Sequence, residues 1–286
     1  MSFKTLSVFA RVLGWALGSA AWTAQAQHAH INAGAESPVA GAKLIFVNQA
    51  SFETESGYLI HLLPLDSIAY GPIYFGGKDV TFTSLPSTLD NGGPHPKAAL
   101  VGTRIQAVVE SVSGPVGGMF SFWDSFDGFF DATEITFSVA VGAKPDGIHS
   151  FYLSENEGSP DSDPYGHIHG RKFSVNVPGL YTVGIRLVDM ARNGPNQGPQ
   201  HASSDVVYFH FQAGTTLGPV QVQDGLVTLQ FGTELEKNYY VETTDSLQPE
   251  NSWKMLLGPI SGTGRLETVR DVAVGSSQGF FRLRVE

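Results

Sequence analysis

Two histidine pairs carry the chemistry that this sequence offers. His28-Ala29-His30 and Gly166-His167-Ile168-His169-Gly170 each place imidazoles two residues apart. Residues at that spacing on an extended strand point to the same face, so either pair can reach a single ion with little rearrangement. Four nitrogen ligands suffice for a closed tetrahedral zinc site or a copper site, so Zn2+ is the expected ion and Cu2+ the alternative. The parity of His167 and His169 matches Phe173, Val175 and Val177. An unbroken strand would therefore turn both inward, whereas a bulge at Gly170 would re-aim them. His28 and His30 also fit a loosely held mature terminus. His149 and His201 lie near turns and either complete a site or are solvated loop residues. His210 alternates with Phe209 and Phe211, either as a ligand or as a hydrogen-bonded strand histidine. His61 and His95 read as structural or exposed.

Carboxylates offer a second chemistry. The acidic stretch 155–163, with Glu155, Glu157, Asp161 and Asp163, is dense in hard oxygen ligands and makes Ca2+ a further candidate, although the EF-hand spacing is missing. A solvated connecting loop is the favoured reading of this stretch. The stretch 123–131 mixes Trp123, Phe126, Phe129 and Phe130 with three aspartates, as a sugar-binding platform or a set of buried turn aromatics would. No nucleophile elbow, His-Glu-x-x-His helix, Ser-x-x-Lys pattern or phosphate-cradling glycine motif occurs. Enzymatic chemistry would have to be metal chemistry at the histidines, with Glu155 or Glu157 as base. No catalytic residue is assigned.

The elements that must hold these residues are strands. Gly (33) and Pro (16) are abundant and charged residues make up only 15% of the 286, a balance that suits a turn-rich β protein. Short β-branched and aromatic runs at 43–47, 58–63, 78–82, 104–109, 134–141, 171–177, 181–188 and 206–211 predict an all-β fold. The expected architecture is an immunoglobulin-like antiparallel β-sandwich. Tyr181, which follows the turn 177–180, occupies the place of a corner tyrosine that bonds back to backbone. A Gly/Pro-rich break at 214–219 separates a second, smaller β domain with runs at 220–222, 226–231, 239–242, 253–257 and 280–285. The expected division is thus a leader (1–26), a histidine-bearing β-sandwich (27–213) and a small C-terminal β domain (214–286). All nine histidines precede the break.

Lys4 and Arg11, an apolar stretch over 12–22 and Ala24-Gln25-Ala26 read as a signal peptide cleaved after Ala26. The expected product is soluble, in the periplasm or outside the cell, with no membrane insertion after cleavage. The absence of Cys excludes disulfides and thiolate chemistry, so any metal must be held by His, carboxylate or backbone oxygen. A net charge of −10 repels nucleic acid and anionic lipid.

These residues resemble the surface-anchored protein family of exported bacterial domains, also called choice-of-anchor M domains, over residues 28–212. The resemblance rests on His28-Ala29-His30, on Ser113-Gly114-Pro115 ahead of Phe122-Trp123, and on Gly166-His167-Ile168-His169 leading through Phe173 to Pro178-Gly179-Leu180-Tyr181. The chain departs from the family pattern at His30, where Asp is usual, and at 171–173, where Asn-Trp commonly precedes the Phe. The resemblance implies metal capture or delivery in association with a metal-uptake transporter or cell-surface component. The C-terminal residues Tyr239-Tyr240-Val241-Glu242, Trp253 and Phe280-Phe281-Arg282-Leu283 resemble a small β module of secreted planctomycete and verrucomicrobial proteins. The reading that follows is an exported transition-metal-binding protein. The alternatives are a non-catalytic adhesion or glycan-binding module and a metal-dependent hydrolase or oxidase.

Overall fold

The computed structural model describes residues 29–64, 75–77, 80–124, 134–144, 146–168, 171–248, 253–273 and 279–286. The leader, His28, His169 and most of the aromatic stretch after Asp124 lie outside the described residues. The fold is all-β. In chain order the first part contains β1 (Ala29–Ala35), β2 (Leu44–Phe46), β3 (Ile60–Pro64), β4 (Phe75–Gly77), β5 (Val80–Ser84), β6 (Ile105–Ser113), β7 (Met119–Trp123), β8 (Ile135–Ala140), β9 (Ser150–Tyr152), β10 (Lys172–Val175), β11 (Gly179–Asp189) and β12 (Val207–Ala213). Among the described residues no helix is long and apolar enough to cross a membrane.

Nine of these strands form one sheet in the order β8-β7-β10-β4-β3-β12-β11-β6-β9, and β2-β1-β5 form a second. The large sheet curls strongly. Phe122 of β7 and Phe151 of β9, which sit near opposite ends of the strand order, stack with ring centroids 4.2 Å apart. Phe82 of β5 fills the interior, with its ring against Phe151, Phe173 and Phe209 at 5.6, 5.8 and 5.4 Å. Tilted and edge-on aromatic contacts of this kind add to the burial of large apolar area. Alternation explains why the small sheet covers the large one. Ile31, Ala33, Val80 and Phe82 are buried in the common core, so the intervening residues of β1 and β5 must face the other way.

Tyr181 makes the expected corner contact. Its hydroxyl donates to the Val177 carbonyl at 2.8 Å, and burial pushes that hydroxyl up to about 12. Gly114 and Gly118 cradle the ring, since a Cβ on either would come within 2.8 Å of it or its oxygen. The Gly-Pro step read from the sequence thus makes room for the corner.

Two features differ from the sequence expectation. β1, β4, β7 and β9 fall outside the predicted runs; β1 and β4 are held by pairing and burial and β9 is only three residues long, whereas β7 has the aromatic content of a strand in Phe120, Phe122 and Trp123. The histidine segment does not run directly into β10, which begins only at Lys172. Gly166 instead bridges Ser84 at the edge of β5 not taken by β1.

The chain after the Gly/Pro break forms β13 (Gln221–Gln223), β14 (Leu226–Gly232), β15 (Asn238–Thr244), β16 (Lys254–Ser261), β17 (Leu266–Ala273) and β18 (Phe280–Val285), in sheets β13-β14-β17 and β16-β15-β18. Val227, Leu229, Phe231, Tyr239 and Val241 make its own core. Leu266 N–H donates to Gly57 O at 2.8 Å, and Leu59, Leu180 and Leu266 pack together where the two parts meet.

Candidate metal centre

The site is built on the outer face of the small sheet. β1 and β5 run parallel with His30 beside Thr81 and Asn32 beside Thr83, and directly paired residues project to the same side. Their shared face is confirmed by Thr83 Oγ1 donating to Asn32 Oδ1 at 2.6 Å. Across the other edge of β5, Ser84 N–H donates to Gly166 O at 2.8 Å and Gly166 N–H donates to Ser84 O at 3.2 Å. The next residue, His167, is therefore brought over the same outer face. Its ring meets the His30 ring with centroids 4.7 Å apart and planes at 66°. Two histidines far apart in sequence, one from each predicted pair, thus lie in ring contact.

Each is fixed through its backbone. The Asn48 side chain donates to His30 O at 2.8 Å and accepts from Asn32 N–H at 2.9 Å, behaving like a short extra strand along β1. Glu155 Oε1 accepts the His167 N–H at 2.7 Å. Gly166 is required by close approach, since a Cβ there would lie 1.7 Å from Leu153 O.

The separation of the rings fits a common ion. With bonds of roughly 2.0–2.1 Å, two imidazoles on a tetrahedral zinc hold their ring centres about 5 Å apart. His30 and His167 would hold the metal, which would supply a fixed cationic centre. Among the described residues no three His, Cys, Asp or Glu side chains gather around one point. His28 and His169, which spacing assigns to the same site, lie outside the described residues.

The other candidate histidines are placed elsewhere and occupied by protein partners. His201, 2% exposed, donates from Nδ1 to Ala42 O at 2.9 Å and accepts at Nε2 from Leu100 N–H at 3.0 Å. The carbonyl and the amide between them fix one neutral tautomer. His210 bonds Thr54 through Nε2 and Thr182 through Nδ1, both at 2.9 Å. Burial holds its imidazole below the ordinary histidine value, with the Glu55 charge opposing. Both His210 nitrogens are thus hydrogen-bonded to threonine hydroxyls. In this arrangement neither His201 nor His210 presents a nitrogen to an ion. His149 is paired with Asp146 at 2.9 Å and sets its ring edge against Phe137. His61 Nε2 reaches Gly264 O at 3.3 Å, and His95 Nδ1 accepts from Lys97 N–H at 3.1 Å.

The acidic stretch is an ordered staple. Asp163 accepts from Ser87 N–H and Tyr165 N–H, Asn156 donates to Thr103 O, and Glu157 pairs with Arg104 at 3.3 Å. Together with Glu155 these side chains serve backbone and arginine groups, which is the physical alternative to the Ca2+ expectation. Trp123 is 1% exposed, with Nε1–H donating to Ser174 Oγ at 2.6 Å. It therefore offers no ring face to a sugar. Asp124 accepts from Arg171 Nε at 2.9 Å, and residues 125–131 of the expected platform are outside the described residues.

From residue type Glu155 reads as a base or a Ca2+ ligand, and Asn48 carries no signal of its own. Both act on backbone groups distant in sequence, for which no local motif exists. No family model matches the chain, and no curated protein is similar to it.

Proposed function

We propose that the protein is an exported transition-metal-binding protein, with Zn2+ as the preferred ion and Cu2+ second, whose site is nucleated by His30 and His167. The single observation that carries this reading is the 4.7 Å approach of the two rings, each held by a side chain bonded to its own backbone. Spacing adds His28 and His169 as the remaining ligands, because each lies two residues from a member of that pair. The chain's own residues bind and orient the ion. His30 and His167 supply nitrogens, while the strands beneath them hold the separation. Export rests on the leader read from residues 1–26. A role in capture or delivery to a transporter or cell-surface component rests on the family resemblance.

The test is elemental mass spectrometry on the tag-free mature protein beside His30→Ala, His167→Ala and the double variant His167→Ala/His169→Ala. The expected result is about one zinc or copper per wild-type chain, lost in each variant, since removing a ligand from a tetrahedral set opens it. A wild-type protein that takes up neither metal after dialysis against each would overturn the reading.

A further inference from the structure

We propose that Glu155 is the positioning residue of the histidine pair, setting where His167 presents its ring without itself touching the ion; the inference rests on the metal-binding reading above. Gly166 and Ser84 form a narrow antiparallel bridge. The two exchange both backbone bonds, so the N–H of the following residue points away from β5 and finds no partner in that ladder. For His167 that N–H is taken by Glu155 Oε1 at 2.7 Å, a distance typical of charge-assisted bonds.

Glu155 is well placed to act as an anchor because its own backbone is tied to the same segment. Its N–H donates to Tyr165 O at 3.0 Å, so residues 165, 166 and 167 are fastened one after another. Of these ties only the last depends on a side chain. Removing it frees rotation about the Gly166–His167 junction, which is the motion that would carry the His167 ring away from His30. A backbone N–H can only donate, so its bond to the Glu155 side-chain oxygen also fixes the direction of the His167 amide.

The experiment compares full-length mature wild type with Glu155→Ala and Glu155→Gln, using zinc titrated against a chromophoric chelator and the visible absorption of the cobalt-loaded protein. Loss of a partner bonded to a ligating ring typically costs about 10–100-fold in metal affinity, and the same scale is expected for a partner that orients the ring through its backbone. Glu155→Ala is expected to weaken zinc in that range and to alter the cobalt bands. Glu155→Gln keeps an oxygen acceptor at the same reach and is expected to restore both affinity and spectrum. Unchanged affinity and spectrum in Glu155→Ala would overturn the inference while leaving the metal reading intact. Equal damage in both variants would also overturn it, because charge and not position would then be the cause. A wild-type protein that binds neither zinc nor cobalt would remove the metal reading and this inference with it.

Discussion

Replacing Gly166 by alanine probes how tightly the fold fixes the histidine pair. The new Cβ would lie 1.7 Å from Leu153 O and 3.0 Å from Glu155 N. The first distance is about 1.5 Å short of an ordinary contact between carbon and oxygen, and both atoms belong to backbone, so no side chain can swing aside to relieve it. The segment must back away from Leu153, which breaks the paired Ser84–Gly166 hydrogen bonds of 2.8 and 3.2 Å. Two such bonds contribute roughly 0.5–1.5 kcal/mol each, and overpacking that the surroundings absorb only in part costs about 1–3 kcal/mol. The expected loss is therefore roughly 2–6 kcal/mol. For a domain of this size that lowers Tm by roughly 4–24 °C. Thermal unfolding followed by circular dichroism measures the first effect and zinc titration the second. Affinity is expected to fall because His167 moves with the segment. A Gly166→Ala protein that melts within about 2 °C of wild type and binds zinc equally well would refute the reasoning.

Three further outcomes follow from the same structure. Tyr181→Phe deletes the hydroxyl that donates to Val177 O, a carbonyl on a half-buried residue, so it should cost about 0.5–1.5 kcal/mol in urea unfolding without change of fold; a neutral substitution would remove the corner from the account of stability. His210 is held below its ordinary value of 6.5 by burial, so the unfolded chain takes up the proton first on acidification. Stability should therefore fall as pH drops below about 6.5, and that slope should shrink in His210→Gln; parallel pH profiles for the two proteins would count against it. Glu242 accepts from Arg282 Nε at 2.7 Å and Arg284 Nε at 2.9 Å, and the hydrogen bond from Arg282 leads the forces holding its carboxyl below the usual glutamate value. Its contribution is present above that value and is lost as pH falls through the depressed one. Wild type should therefore exceed Glu242→Gln in Tm at neutral pH, with the gap closing in acid; a gap that widens in acid would contradict this.

How much could be read before folding depends on how local the cause is. β11, β12 and β14 were legible because Tyr181, Val183, Ile185 and Leu187, or Val227, Leu229 and Phe231, recur at the spacing of two that buries one face. The corner tyrosine was legible because the bond spans only from Tyr181 to Val177. β4, with the sequence Phe-Gly-Gly, and the three-residue β9 carry too little signal of their own. They exist because neighbouring strands offer them paired donors and acceptors.

The same division runs through the candidate site. Residue type and spacing alone marked His28, His30, His167 and His169 as two same-face pairs and marked the absence of cysteine as a limit on any ligand set. What only the tertiary structure decided is that β1 and Gly166, the residue before His167, flank the same strand, β5. It also decided that His201 and His210 have both nitrogens engaged by protein groups. The physical reason is that a strand's side-chain period is written in its own residues, whereas its neighbour is chosen by the whole core. Here Phe82 of β5 is gripped by Phe151, Phe173 and Phe209, and that grip sets where β5 lies and hence which two histidines meet above it.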